Sequence, residues 1–492
     1  MAGCYLVWVP IVYSGVIRDP NVSANHSSNG APLVLGLYVD DFVFFSESDE
    51  VEQRFMELLA KEISVDFMGT VEWFLGIHFS WRVTASDVSV HLNQAGFAAN
   101  LVERFDRHDR GLSPLATPYR SGIPIDAIAP TLEADDAPAL LRRTAAYQSL
   151  VGSIGWLAYV TRPDLAAVHS FLASYNAKPS PGHMKAALHV LHYIHSTHDY
   201  GISFSSAKSH KMHTYVHFPD SSDVEAYDDA IPPSSSNSHR LSTYSDACWG
   251  SQIGNAVREG TLLPLFKFRS MSGGIVFRCG GPVAWVGERQ DKTSLSSCEA
   301  EIRATSATAK LLKSVLNLAS SLADSGISIA DLDGASAVYN DNEACVAWSH
   351  NMTSKAVRHM ELRENCIREW VQDGSISIAH VSGKCNPADI FTKEMKDGAQ
   401  FRRLRDSFMS RLSSFRNQSL LEVYHRQMAS SSDPSPPLPA AATIASCRTS
   451  PSFLSVINES SLFRTPTNIS HLSSAGRHII SSRYGAVPPG LT

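Results

Sequence analysis

The stretch Leu37-Tyr38-Val39-Asp40-Asp41-Phe42-Val43-Phe44-Phe45 places two adjacent carboxylates between two apolar runs. The two runs predict the strands of a buried hairpin, with Asp40 and Asp41 at its turn. Because a buried charge without a partner is costly, a bound divalent cation would be the natural companion of this pair. A solvated acidic turn is the alternative, since aspartate is common in turns.

A helix and further strands follow this hairpin along the chain. Asp49 can cap the helix, and Val51, Phe55 and Leu59 recur at the spacing that buries one helix face. A strand-like pattern then resumes at 73–81. Helical patterns complete a first block of the chain, which ends near residue 204, and they cover 97–105, 147–159 and 183–195.

The composition limits the classes of protein to which the chain can belong. Its 492 residues are enough for two or three domains of roughly 100 to 200 residues each. The formal net charge of −6 means that nucleic acid contacts would need local basic patches. The eight cysteines contain no CxxC pair, which argues against a zinc ribbon or a disulfide scaffold. No apolar stretch predicts a membrane span, and we expect an intracellular protein, in a cytoplasmic particle or in the nucleus.

Two low-complexity segments divide the chain. Residues 211–240 are acidic and rich in Ser and Pro, which is typical of a linker, and residues 413–492 form a Ser/Pro-rich tail that we expect to be disordered. Between them, residues 241–412 alternate strand-like and helical patterns. This alternation predicts an α/β domain.

Four carboxylates in this second block lie at the ends or starts of predicted elements. Asp246 ends a strand, and Glu301 lies near the start of a long helix. Asp341 follows another strand, and Asp389 begins the last helical turn. Separations of 55, 40 and 48 residues suit a ribonuclease H fold, in which four acids converge over a central sheet. Such a cluster is typical of two-metal phosphoryl transfer with Mg²⁺ or Mn²⁺, whereas each acid alone is as typical of a structural cap.

The first block resembles a known family. The segment from Leu37 to Phe45 resembles the polymerase motif of reverse transcriptases, and the sequence that follows it resembles copia-type (Ty1/copia-like) retrotransposon polyproteins. The matching strings, in chain order, are Trp73-Phe74-Leu75-Gly76-Ile77, Leu92-Asn93-Gln94, Ala116-Thr117-Pro118, Val151-Gly152-Ser153-Ile154, Thr161-Arg162-Pro163-Asp164-Leu165 and Tyr200-Gly201-Ile202. The resemblance implies that the hairpin belongs to a polymerase palm, in which Asp40 and Asp41 match two of three metal-binding carboxylates.

The second block resembles the nuclease domain that follows the polymerase in this family. Alignment with the family favours Glu301 over Glu299 as the second acid, and Glu299 stays open as the alternative. The matching strings are Ser245-Asp246-Ala247-Cys248-Trp249, Met271-Ser272-Gly273-Gly274, Leu295-Ser296-Ser297, Glu299-Ala300-Glu301, Asn340-Asp341-Asn342 and Ala388-Asp389-Ile390-Phe391-Thr392-Lys393.

The implied activity of the second block is Mg²⁺-dependent hydrolysis of the RNA strand in an RNA–DNA hybrid. The implied partners are this hybrid and a template of RNA or DNA, gripped through phosphates and 2′-hydroxyls. Lys384, Lys393 and Lys396 lie near the last acid and are candidates for phosphate contacts. Ordinary solvated lysines are an equally good interpretation of these three residues.

The resemblance also divides the chain into units. We predict an α/β and α+β multidomain chain: an unassigned segment (1–18), a partial reverse transcriptase palm and thumb start (19–110), a thumb and connection region (111–210), the linker (211–240), an RNase H-like α/β domain (241–412) and the tail (413–492). Only 39 residues precede Asp40, whereas the family's third palm carboxylate lies further upstream, so we expect this chain alone not to polymerise DNA. A non-catalytic transposon relic that at most binds nucleic acid is the rival interpretation.

Overall fold

Three sheets and their helices make up the described part of the chain, and both blocks contain helices and strands as predicted. The computed structural model describes residues 33–38, 41–46, 48–62, 64–84, 87–105, 114–120, 124–128, 137–206, 241–250, 269–323, 330, 332–350, 362–414 and 443–447. Below, the first block is the described part of 33–206 and the second block is the described part of 241–414. Among these residues, no helix has the length and apolar character needed to cross a membrane.

The predicted hairpin opens the first sheet. Strands β1 (Leu33–Tyr38) and β2 (Asp41–Ser46) pair antiparallel, with Tyr38 opposite Asp41. Helix α1 (Asp49–Glu62) buries Phe55 and Leu59 against the sheet, as its spacing predicts. Strand β3 (Val65–Thr70) follows α1 and belongs to the same sheet.

A strand from the tail lies between two of these strands. Strand β14 (Thr443–Cys447) pairs antiparallel with both β2 and β3, so the sheet order is β1-β2-β14-β3. These five residues lie within the tail that the sequence predicts to be disordered, and here they form a strand. The physical reason is that β2 and β3 do not pair with each other, and their backbone N–H and C=O groups bond to β14 instead.

The second sheet carries most helices of the first block. Its order is β13-β7-β6-β5-β4, and β13 comes from the end of the second block. Apolar faces of the helices cover this sheet and form the largest core cluster. The elements are β4 (Trp73–Phe74), β5 (Ile77–Val83), β6 (Val88–Asn93), α2 (Ala95–Phe105), α3 (Ala137–Val160), α4 (Ala166–Ala173), α5 (Pro181–Ser196), β7 (Tyr200–Ser205) and β13 (Met409–Arg411).

The third sheet is mixed and forms the centre of the second block. Its order is β10-β9-β8-β11-β12, in which β8, β11 and β12 are parallel and the β8–β9 and β9–β10 pairs are antiparallel. A short 3₁₀ turn (Pro387–Phe391) follows β12. The other elements are β8 (Ser242–Cys248), β9 (Met271–Arg278), β10 (Gly281–Arg289), α6 (Ser297–Ala323), β11 (Ser336–Asn340), α7 (Glu343–His350), α8 (Leu362–Gln372), β12 (Ile376–His380) and α9 (Gly398–Asp406).

Two glycines let other elements approach strand β9 closely. A Cβ on Gly273 would lie 2.9 Å from the carbonyl oxygen of Ala388, and one on Gly274 would overlap the Thr308 hydroxyl. The 3₁₀ turn and helix α6 can therefore press against β9 from its two faces only because both positions lack a side chain.

A buried ionic network joins the two blocks. Arg162 donates from Nε and Nη2 to the two carboxylate oxygens of Asp164, each at 2.9 Å, and both side chains are almost fully buried. Tyr193 donates its hydroxyl to Asp164 at 2.7 Å and accepts from Arg405 at 3.0 Å. Burial alone raises the pKa of Asp164, but the charges of Arg162 and Arg405 lower it below its ordinary value. Arg405 lies on α9, so the network ties the end of the second block to the first.

We expect Asp164→Asn to destabilise the chain strongly. The substitution leaves the Arg162 guanidinium buried beside a neutral group, and breaking a buried ion pair in this way costs about 3 to 5 kcal/mol. Urea unfolding at neutral pH measures the loss. Asp406→Asn is the control, because Asp406 is half exposed and also pairs with Arg405, so its removal costs less than about 1 kcal/mol. Equal losses in the two variants would contradict this assignment.

Candidate metal centre

Three carboxylates meet at one edge of the mixed sheet. Parallel strands β8 and β11 place Ser245 opposite Asn340, so the residues that follow, Asp246 and Asp341, lie side by side. Helix α6 brings Glu301 over the same edge. One carboxylate oxygen from each acid lies within 4.8 Å of the others, and among the described residues this is the only such group that could hold a metal ion.

Burial makes this arrangement electrostatically costly without a cation. Asp246 is 1% exposed and Glu301 is 7% exposed. Burial, followed by the negative charge of Asp246, raises the pKa of Glu301 to about 9. The same two causes, in the same order, raise the pKa of Asp341. The donor set is therefore oxygen-only and negatively charged, which fits Mg²⁺ or Mn²⁺.

The fourth predicted acid lies beside this group. Asp389 lies on the 3₁₀ turn, where burial and then the charge of Asp246 raise its pKa to about 7. The ammonium of Lys393 lies 2.6 Å from Oδ1 of Asp389 and 3.7 Å from Oδ2 of Asp246. Asp389 is thus a neighbour of Asp246 across a lysine rather than a member of the three-acid group.

Neutral side chains hold the acids in place, and sequence reasoning did not assign them. Asn340 donates from Nδ2 to Glu301 at 3.0 Å, and the Thr392 hydroxyl donates to Asp246. Asn386 donates to the carbonyl oxygen of Ser245 at 2.9 Å and so links the 3₁₀ turn to strand β8. The available signal was their place in the sequence, since Asn340 directly precedes Asp341 and since Asn386 and Thr392 each lie three residues from Asp389.

Glu299 lies outside the three-acid group. Its carboxylate accepts from Arg303 at 3.0 Å and from the backbone N–H of Leu295 at 2.8 Å. Through these contacts the Glu299 side chain stabilises the first turn of α6. Of the two glutamates considered from the sequence, the structure brings Glu301 to Asp246 and Asp341.

The described hairpin acid lies apart from the three-acid group. Asp41 is the first residue of β2, half-buried, and lies opposite Ser446 of β14. Asp40 lies outside the described residues. Asp41 belongs to no group of three metal-competent side chains in the described ranges.

Sequence similarity links the chain to retrotransposon polyproteins. The retrovirus-related Pol polyprotein from transposon RE2 of Arabidopsis thaliana is 26% identical over 360 residues, which are 73% of this chain and 20% of that protein. The corresponding protein from transposon TNT 1-94 of Nicotiana tabacum is 24% identical over 382 residues, 77% of this chain and 25% of its own length. The secreted RxLR effector protein 161 of Plasmopara viticola is 32% identical over 160 residues, 32% of this chain and 84% of that protein.

The chain spans a fifth to a quarter of the length of the two Pol polyproteins. No family model matches it, and no solved structure matches it significantly.

We expect metal affinity to rise with pH. An ion that binds the three-acid group must displace the proton of Glu301, whose pKa is about 9, so affinity increases between about pH 6 and 9. Without metal the raised pKa favours the protonated native state, and stability is lost as the pH rises through this range. Calorimetric titration of the chain with Mn²⁺, in two buffers of different ionisation enthalpy, measures the affinity and the protons released.

Glu301→Gln is the control for this titration. Glutamine has no proton to lose, so the variant should release fewer protons and bind Mn²⁺ more weakly. An affinity that stays flat from about pH 6 to 9 in the unsubstituted chain would contradict the assignment.

Proposed function

Because this chain belongs to the copia-type retrotransposon Pol polyproteins, we propose that its acidic centre hydrolyses the RNA strand of RNA–DNA hybrids. One observation carries the proposal. Two buried carboxylates, Asp246 on β8 and Glu301 on α6, converge with the partly buried carboxylate of Asp341 directly after β11, and a fourth acid lies beside them. This is the arrangement that a ribonuclease H-type nuclease needs.

Asp246 is the central residue of the proposed mechanism. It lies within the three-acid group and also faces Asp389, so its carboxylate could serve two ions. Asp246, Glu301 and Asp341 would hold one Mg²⁺, and Asp246 with Asp389 would hold the second. When bound, the ions supply an activated water and neutralise the leaving 3′ oxygen.

Neighbouring side chains orient these carboxylates through hydrogen bonds. The amide of Asn340 donates to Glu301 and fixes the direction of its oxygens. The Thr392 hydroxyl does the same for Asp246. Since fixed donors need no rearrangement when the ions and substrate bind, the site is preorganised for ligands of one geometry.

Exposed apolar side chains that follow Asp246 in the sequence also suit a nucleic acid substrate. Trp249 lies three residues after Asp246 and is 47% exposed, and its indole N–H donates to the carbonyl oxygen of Ser294 at 2.9 Å. Leu295 next to this carbonyl is 73% exposed. An exposed aromatic ring held in this way can contact sugars and bases without reading sequence.

For the hairpin we propose a polymerase palm origin. Support comes from its antiparallel pairing and from the Pol relatives, whose similarity extends over about three quarters of the chain. In this proposal Asp40 and Asp41 are metal ligands of the palm. The rival proposal, a transposon relic that binds nucleic acid without cleaving it, is separated from the main one by the experiment that follows.

We expect the full chain with Mg²⁺ to cleave the RNA strand of a labelled RNA–DNA hybrid, and to leave the matching DNA duplex intact. Asp246→Asn and Glu301→Gln remove metal ligands, so each should lower the cleavage rate by more than about 100-fold. Loss of a residue that only hydrogen-bonds to a metal ligand usually lowers activity by about 10- to 100-fold. Gel analysis of single-turnover reactions measures the rates.

Glu299→Gln is the matched control, because Glu299 lies two residues from Glu301 and outside the three-acid group. It should keep most of the activity. The reverse pattern in the two glutamate variants would exchange their roles. No cleavage by a folded chain that binds Mn²⁺ would favour the non-catalytic relic.

A further inference from the structure

The ammonium group of Lys393 occupies a position between two carboxylates that would suit a metal ion. Its ammonium lies between Asp246 on strand β8 and Asp389 on the 3₁₀ turn, at 3.7 Å and 2.6 Å. These two carboxylates belong to different elements and repel each other. A positive charge between them removes that repulsion and holds both elements together.

The lysine can leave this position more easily than the acids can. Its side chain is 41% exposed, whereas those of Asp246 and Asp389 are 2% and 11% exposed. A lysine carries its charge at the end of a flexible four-carbon stem, so the ammonium can move by several ångströms without movement of the backbone.

We propose that Lys393 is a built-in substitute for the second metal ion. In the metal-free chain its ammonium neutralises Asp246 and Asp389, and binding of the second ion moves it outward onto a phosphate of the bound hybrid. This inference rests on the proposed nuclease function for its second half only. The exchange of lysine for metal requires no substrate.

The reason for an exchange is electrostatic. An ammonium and a divalent ion cannot both lie between the same two carboxylates, since like charges a few ångströms apart repel strongly. The second ion must therefore displace Lys393, and its apparent affinity is reduced by that displacement. After displacement the ammonium stays tethered near the site, where a phosphate oxygen is its natural partner.

The two halves of the proposal predict opposite effects of one substitution. Lys393→Met keeps the length of the side chain and removes its charge. The second Mn²⁺ should then bind about tenfold more tightly or better, because no ammonium has to move. Cleavage at saturating Mn²⁺ should fall about tenfold or more, because the phosphate contact is lost. A residue with only a structural role would weaken both.

The experiment uses the full chain. Mn²⁺ binding without nucleic acid is followed by electron paramagnetic resonance of free Mn²⁺, and hybrid cleavage is measured separately. Lys393→Arg keeps the charge and should bind Mn²⁺ as the unsubstituted chain does. Lys313→Met is the matched control, because Lys313 lies on α6 against Trp370, about 18 Å along the helix from Glu301, and should alter neither property.

Each outcome has a definite meaning. Unchanged or weaker Mn²⁺ binding in Lys393→Met overturns the exchange, and unchanged cleavage overturns the phosphate contact. If the unsubstituted chain binds Mn²⁺ but cleaves no hybrid, the proposed function fails, while tighter binding in the variant still supports the exchange. A thermal melt reports folding, and Lys393→Gln, uncharged but polar, provides the same comparison if the methionine variant does not fold.

Discussion

The rest of the structure depends on the buried network of Arg162, Asp164, Tyr193 and Arg405. Two guanidinium groups and one carboxylate lie in the interior, where the charges of Arg162 and Asp164 are tolerable only because each neutralises the other. Arg162 and Asp164 lie two residues apart in the first block, whereas Arg405 lies on helix α9 of the second. Because the network includes side chains from both blocks, it forms only when the two blocks pack together. The largest core cluster accordingly contains residues of both blocks.

The acidic centre follows the opposite rule. Here like charges are buried together, and the raised pKa values of Glu301 and Asp389 show that the protein alone does not compensate them. The surroundings supply geometry instead of charge: amides and a hydroxyl orient the carboxylates, and Lys393 balances only one side. The buried network of Arg162 and Asp164 stabilises the fold. The acidic centre instead carries negative charge that a bound cation would neutralise.

Sequence reasoning predicted the order of the elements well, because the acids lie at strand ends and the helices show clear apolar spacing. It placed the start of α1 at Asp49 and placed Glu301 near the start of α6, as the structure has them. It could not assign strand partners that are distant in the chain, as for β13 beside β7 and β14 between β2 and β3. Nor did spacing alone choose between Glu299 and Glu301. Two positions apart on a helix means opposite faces, about 200° around the axis, and only the packing of α6 shows which face covers the sheet.

The place of β13 has a consequence for the order of folding. Strand β7 has its second neighbour in β13, about 200 residues later in the chain, a stretch that takes roughly 10 to 40 seconds to synthesise at the usual rate. Until then β7 presents a free hydrogen-bonding edge on the nascent chain, where another strand can pair with it. During synthesis the sheet of the first block therefore lacks one strand, and its open edge is available to chaperones and neighbouring nascent chains until β13 is made.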